Sequence, residues 1–174
     1  PMLPAETTTS ANPWNSFSFR YRFMSTAERR LALFGNEYKT HFTSSSDASG
    51  YVIDVYVSYW DLDGSGAWYT KGQYLQVNRV VADEVTAMFS DLYNLSEAER
   101  FPISYVGSAR YSDNMRHSWG CALGINANYN YYLNYSSGAQ VGQYCYLTSD
   151  SPYCIRPGSA IVNIFAKYGW GWGG

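Results

Sequence analysis

Apolar and polar positions alternate most clearly over residues 51–60, YVIDVYVSYW. This is the period of a half-buried strand, and its apolar side consists of Ile53, Val55, Val57 and Tyr59. The turn-rich DLDGSG follows, and then AWYT and YLQVN, so the pattern predicts a β-hairpin. DLDGSG has the spacing of the first calcium-loop ligands but glycine instead of glutamate at the twelfth position, which favours a polar turn.

Three segments have helical spacing instead. Ser25 and Glu28 form a capping box that predicts a short helix ending near Gly35. Residues 79–93 carry an apolar stripe after Asn78, a natural N-cap, and residues 159–169 form a last helix.

A strand that runs into a loop is predicted over residues 103–112, and another strand over HSWGCALGIN at residues 117–126. Long loops are predicted over 127–157. Helices and strands do not alternate regularly along the chain. The fold class expected is therefore α+β, an antiparallel β-sheet with flanking helices.

Composition supports a single folded body. The chain has 174 residues, of which 46% are hydrophobic and 15% charged. Residues 1–13, PMLPAETTTSANP, have no periodicity and predict a flexible leader, left after removal of a signal or anchor, before one domain over 14–174. That leader favours an extracytoplasmic location.

The net charge of −2 and the lack of basic runs disfavour nucleic acid as a partner, and no apolar stretch suits a transmembrane segment.

Aromatic residues and cysteines each leave two interpretations. The 18 tyrosines could form a stacking surface for sugars or peptides, but their place in strand-like runs favours a sheet-rich fold.

Cys145 and Cys154 flank the turn-rich TSDSPY, so they either form a disulfide or remain two thiols. The odd count leaves Cys121 unpaired, and on a strand it would point into the core.

The stretch HSWGCALGIN contains part of a metal-site pattern. A catalytic zinc needs about three protein ligands and an open position for water. His117 and a ligand seven residues later can converge if the chain turns at Gly120 and then extends, but the seventh position is Gly124.

Separated motifs give this pattern a family. His117, Gly120 and Ala122 match a Ser-x-His-x-x-Gly-x-Ala-x-Asp motif, and SARYS, with Arg110 and Ser112, matches the element before it. NANYNY at 126–131 and the ending IVNIFAKYGWGWGG are further matches. In these motifs, over roughly residues 50–174, the chain resembles VanY-type zinc D-Ala-D-Ala carboxypeptidases of the Hedgehog/DD-peptidase fold.

The resemblance implies an extracytoplasmic bacterial peptidase that uses zinc and acts on the peptidoglycan stem peptide. His117 would be a metal ligand, and Arg110 would contact substrate or the oxyanion, unless it forms a surface salt bridge. Gly124 stands in place of the metal-binding Asp, Met115 stands in place of Ser, and the family's final Asp-x-x-His does not occur before Gly174. We therefore expect weak or absent zinc and an inactive or impaired enzyme; the alternative is a non-catalytic descendant that binds peptidoglycan.

Overall fold

The computed structural model describes residues 16–112, 115–134, 137–141 and 147–173. Within these ranges, α-helices flank small antiparallel sheets, which confirms the predicted α+β class. The helices are α1 (Phe17–Arg20), α2 (Thr26–Phe34), α3 (Ala82–Tyr93) and α4 (Ala160–Lys167). The strands are β1 (Val52–Leu62), β2 (Trp68–Asn78), β3 (Val106–Gly107), β4 (Gly124–Ile125), β5 (Tyr132–Asn134) and β6 (Ala139–Val141). The predicted leader lies outside the described residues.

The predicted hairpin is formed by β1 and β2, paired from Val52 with Asn78 to Leu62 with Trp68. One face of the hairpin packs against α3, and the buried apolar side chains on that face are Val57, Tyr59, Leu75 and Val77. In the turn, Asp63 Oδ1 accepts hydrogen bonds from the backbone N–H groups of Ser65 (2.8 Å) and Ala67 (2.9 Å). The polar-turn interpretation of DLDGSG is therefore confirmed.

The three helices predicted from spacing are present. The capping box of Ser25 and Glu28 is formed at the start of α2, and Gly35 ends that helix with φ of 67°. Asn78 caps the 3-10 turn that leads into α3, because its Oδ1 accepts a hydrogen bond from the Val80 N–H. Helix α4 ends at Lys167. Tyr168 is its C-cap, and Gly169 comes next in the left-handed conformation with φ of 83°.

The strands predicted over 103–112 and 117–126 are wrong in extent, because each contributes only two residues, β3 and β4. Side chains make the hydrogen bonds that a longer pair of strands would make. Gln73 bonds the N–H and the C=O of Val106, and Asn126 Oδ1 accepts a hydrogen bond from the Ser104 N–H. Residues Arg116–Trp119 curl into a 3-10 turn, so His117 lies on a turn before the strand. The segment predicted as loops also contains a short hairpin, β5 with β6.

Two buried carboxylates connect distant parts of the chain. Asp61 on β1 accepts hydrogen bonds from the side chains of Tyr69, Lys71 and Tyr153. Glu84 on α3 accepts hydrogen bonds from the Ser18 N–H (2.9 Å), the Ser18 hydroxyl (2.6 Å) and Trp170 Nε1 (2.9 Å). Glu84 thus ties α1 and the segment after α4 to the same helix.

Burial alone would raise the pKa of Asp61, but hydrogen bonds from Tyr153, Leu62, Lys71 and Tyr69 hold it below its ordinary value. The pKa of Tyr153 is raised to about 12, mainly by burial and then by its bond to Asp61. The network therefore keeps one negative charge inside the fold at neutral pH. None of the described helices has the length and apolar character that crossing a membrane requires.

Candidate functional site

The turn that carries His117 is fixed by Gly120. Gly120 ends the turn with φ of 70°, and its N–H donates to the His117 carbonyl at 3.1 Å. Its own carbonyl accepts from the Asn78 N–H at 2.8 Å. A Cβ at this position would lie 2.6 Å from the Asn78 nitrogen, so both the backbone conformation and the close approach require glycine.

Asn78 joins this turn to the hairpin and to α2. Its Nδ2 donates to the carbonyl oxygens of Leu33 and Trp119, both at 3.0 Å, and the side chain is fully buried. The Asn78 amide therefore caps the turn that leads into α3 and also holds Trp119, at the end of the His117 turn. The sequence identified Asn78 as a cap only, because its other partners are backbone atoms far away along the chain.

The His117 imidazole is held in one tautomer. Its Nδ1 lies 3.0 Å from the carbonyl oxygen of Ser108, and a carbonyl can only accept, so Nδ1 carries the proton. The Ser108 segment is fixed in turn by β2, where the Gln76 N–H donates to Ser108 Oγ (3.1 Å) and the Gln76 carbonyl accepts from Ala109 (3.0 Å). Nε2 is therefore the nitrogen whose lone pair is available to a ligand, as in metal-binding histidines.

Gly124 lies beside this imidazole. It pairs with Gly107 across β3 and β4, and its backbone is not in the left-handed region. A Cβ built on Gly124 has His117 Cε1 at 4.0 Å as its nearest neighbour. A side chain placed here would enter open space next to the imidazole, seven residues along the chain from His117.

The other residues singled out by the sequence lie around this pair. Arg110 is exposed, and its backbone N–H donates to the His117 carbonyl at 3.3 Å. Ser112 and Met115 are exposed on either side of residues that lie outside the described part of the chain. Ala122 lines the wall of a cleft together with Gly124.

Cysteines do not complete a metal site among the described residues. Burial, with the carboxylate of Glu84 nearby, raises the pKa of Cys121 to about 12, so it remains a protonated thiol at neutral pH. Cys154 is buried, and its Sγ lies 3.7 Å from the Tyr129 carbonyl oxygen. The predicted disulfide involves Cys145, which lies outside the described residues.

The described side chains do not fit a zinc ion. No group of three or more His, Cys, Asp and Glu residues is close enough to hold a metal within the described ranges. Gly124 has no side-chain donor, so the imidazole of His117 is the side-chain ligand that the described residues place at this position. One neutral nitrogen cannot hold zinc tightly against water.

A cleft of about 600 Å³ lies along residues 121–125 and is also lined by residues of α4. Its walls are mainly apolar and include Leu123, Ile125, Ile161, Phe165 and Trp170. Arg22 and Arg116 also line it.

Asn126 supports the end of β4 and was noted in the sequence only as part of NANYNY. Its backbone has φ of 50°, an uncommon value for a residue other than glycine. Its buried amide accepts from the Ser104 N–H (2.8 Å) and donates to the Pro102 carbonyl (2.9 Å). Position alone gave no sign of this, nor of the Ser108 carbonyl that orients His117, because a backbone acceptor leaves no trace in the sequence.

A comparison with models of known protein families gives a match that includes these residues. Residues 108–174 match the model of a family described as D-alanyl-D-alanine carboxypeptidase. The matched segment contains Arg110, the His117 turn, β4 and α4. No curated protein and no solved structure matches the chain.

Proposed function

We propose that the chain recognises the stem peptide of peptidoglycan, because residues 108–174 match the model of a family described as D-alanyl-D-alanine carboxypeptidase. We further propose that hydrolysis by the chain as it stands is negligible. Members of this family are in general zinc-dependent, whereas the described residues here supply one imidazole. The substrate implies an extracytoplasmic location at the bacterial cell wall.

The observation that carries this proposal is the state of His117. The Ser108 carbonyl fixes its tautomer, and Gly124 leaves open space beside the ring. This arrangement is what a ligand pair would leave behind after its carboxylate is replaced by glycine.

Arg110 is the residue that we propose contacts the substrate. It is exposed and its backbone is bonded to the His117 turn, so a peptide lying over His117 would be within reach of its long side chain. The guanidinium is planar and permanently charged, which suits a peptide carboxylate or the charge that develops on a scissile carbonyl.

Substitution of Gly124 tests the ligand part of the proposal. Gly124→Asp adds a carboxylate beside the His117 imidazole, and we expect zinc affinity measured by calorimetry to rise about tenfold or more. Gly124→Asn is the matched control, since it has the same shape and no charge, and His117→Gln in the Asp variant should remove the gain. Equal zinc affinity in the Asp and Asn variants would contradict the proposed ligand position.

Peptide recognition is tested separately from metal binding. A soluble muropeptide ending in D-Ala-D-Ala is titrated into the unchanged protein, into Arg110→Ala and into Arg79→Ala, which removes another exposed arginine. We expect saturable binding that weakens only in the Arg110 variant. A folded protein that shows no binding would overturn the proposed recognition.

Activity decides between the two forms of the proposal. The first is an impaired peptidase, and the second is a non-catalytic descendant that retains the peptide site; Gly124 and the lack of a described ligand cluster favour the second. Release of D-Ala from the muropeptide and bound zinc are measured on the same sample. Stoichiometric zinc with turnover would refute negligible hydrolysis, whereas binding without turnover supports the descendant.

A further inference from the structure

A pocket of about 180 Å³, smaller than the cleft, lies against helix α2. Thr26, Arg29, Arg30 and Leu33 line it, and their spacing of three and four residues places them on one face of that helix. Trp119, the last residue of the 3-10 turn described above, lines it as well. The described residues that line this pocket all lie between positions 21 and 119, so β4 and α4 contribute nothing to it.

Apolar side chains give the pocket most of its surface. Leu33 and Phe34 are buried, and the Phe34 ring meets the Trp119 ring edge to face with 6.0 Å between ring centres. An apolar cavity of about 150 Å³ accepts a benzene molecule. The pocket therefore has the size and the lining that suit one aromatic ring.

The indole nitrogen of Trp119 is a buried donor that has no hydrogen-bond acceptor among the described residues. The backbone of the same residue is bonded, because its carbonyl oxygen accepts from Asn78 Nδ2 at 3.0 Å. A buried donor without a partner destabilises the folded state, and such groups are rare in native structures. An oxygen atom of a bound molecule would supply the missing acceptor.

Two half-buried arginines give the pocket a positive charge. Arg29 donates to the carbonyl oxygens of Tyr21 (2.9 Å) and Arg22 (3.3 Å), and its guanidinium lies 4.4 Å from the centre of the Tyr21 ring. Arg30 Nη1 donates to the Glu37 carbonyl oxygen at 3.3 Å. All of these acceptors are neutral, and within the described ranges neither guanidinium forms an ion pair with a carboxylate.

The acidic residues of this segment, Glu28 and Glu37, do not line the pocket. The carboxylate of Glu28 lies at the start of α2, where it accepts from the Ser25 N–H at 2.7 Å in the capping box. Glu37 is exposed. The charge that remains at the pocket is therefore positive, and it favours an anion over a cation.

We propose that this pocket binds a small organic anion that carries a carboxylate on one aromatic ring. The ring would lie among Leu33, Phe34 and Trp119. The carboxylate would accept hydrogen bonds from the remaining N–H groups of Arg30 and from the indole N–H of Trp119. This binding site goes beyond the proposed recognition of the stem peptide and does not depend on it.

Benzoate is the probe, and benzamide, which has nearly the same shape and no charge, is the matched ligand control. Titration is followed by NMR of the Trp119 indole proton, whose signal is identified by its loss in Trp119→Phe. We expect saturable binding of benzoate, about tenfold or more tighter than that of benzamide, because hydrogen bonds to a charged group are the stronger ones. Equal affinity for the two molecules would overturn the proposed carboxylate.

Substitution of arginines locates the bound molecule. Arg30→Gln should weaken benzoate binding about tenfold, whereas Arg20→Gln, at an exposed arginine that lines neither the cleft nor this pocket, should leave it unchanged. The cleft has arginines of its own, so Arg22→Gln with Arg116→Gln is a second control. Binding that depends on the cleft pair and not on Arg30 would overturn the proposed site.

The indole donor is tested by Trp119→Phe, which keeps an aromatic ring and removes the N–H. Circular dichroism first establishes that the variant is folded, and its affinity for benzoate should then fall about tenfold. Unchanged affinity in the folded variant would overturn the role of the indole, and no binding by the unchanged protein would overturn the site. Arg110→Ala should leave benzoate affinity unchanged, so failure here is distinguishable from failure of muropeptide recognition.

Discussion

Replacement of Gly120 by alanine should destabilise the protein far more than the same change at a comparable glycine. Gly120 has φ of 70°, and its missing Cβ would lie 2.6 Å from the Asn78 nitrogen and 3.1 Å from Val77 C. Both near atoms belong to the backbone at the end of β2, so relief requires the turn and the strand to move apart. That movement would stretch the 2.8 Å bond from the Asn78 N–H to the Gly120 carbonyl.

The size of the effect has two parts. The left-handed conformation costs an alanine about 1–2 kcal/mol. Overpacking in a closely packed region adds about 1–3 kcal/mol. Gly158 isolates the first part, because it has φ of 74° and no atom within 4 Å of its missing Cβ. We therefore expect Gly120→Ala to exceed Gly158→Ala by about 1–3 kcal/mol.

Urea unfolding at equilibrium measures both variants against the unchanged protein, and thermal unfolding gives a second estimate at about 2–4 °C per kcal/mol for a chain of this size. Proton NMR of His117 reports on the site, since movement of the turn should disturb the Nδ1–H bond to Ser108. Equal destabilisation by the two alanines would refute the steric reasoning and leave only the backbone term.

Two further predictions concern the buried carboxylates. Asp61→Asn should cost about 1–3 kcal/mol, since the buried amide NH₂ cannot accept from Tyr69, Lys71 and Tyr153 as the carboxylate does, while the exposed Asp54→Asn should cost little. Because the folded pKa of Asp61 is lowered, its stabilisation is present above pH 3.8 and is lost as pH falls through the folded value, so urea unfolding should show the two proteins converging in acid. Glu84→Gln should cost about 1–3 kcal/mol in the same assay, since the amide keeps only one acceptor oxygen for the Ser18 N–H on one side and for the Ser18 hydroxyl and Trp170 on the other; Trp170 fluorescence shows whether the second set is lost. An exposed control, Glu97→Gln, should match the unchanged protein, and a loss of similar size there would contradict the role of burial.

Local signals predicted the elements that depend on local contacts. Helix α2 is specified within eleven residues, by the capping box of Ser25 with Glu28 and by the left-handed Gly35. The β1–β2 hairpin is likewise specified by its alternating pattern and by Asp63 in the turn.

The predicted extent of the strands was wrong where a side chain from a distant residue bonds backbone groups that would otherwise pair with a neighbouring strand. Residues 103–112 have the pattern of a strand, but Gln73 and Asn126 occupy the hydrogen-bonding groups that a longer ladder would need. Periodicity cannot reveal such partners, since they lie 22 to 33 residues away along the chain.

The candidate site divides in the same way. The motif residues His117, Gly120 and Gly124 could be selected from the sequence, and the structure places His117 and Gly124 side by side. The tautomer of the imidazole could not be predicted, because it depends on the carbonyl of Ser108 and on the pairing of that segment with Gln76.

The way in which Asn78 is bonded has a consequence for how this site can change. The His117 turn is held by the Asn78 side chain, which also caps the turn before α3, and by the hydrogen bond between His117 Nδ1 and the Ser108 carbonyl oxygen. All of these are protein contacts. Small metal-dependent domains lose their structure when a ligand is lost, because the ion itself supplies the folding free energy. Here the described contacts that hold the turn all come from protein groups, so we expect substitutions at His117 and Gly124 to leave the fold intact. Binding chemistry at this turn should then be alterable without loss of stability.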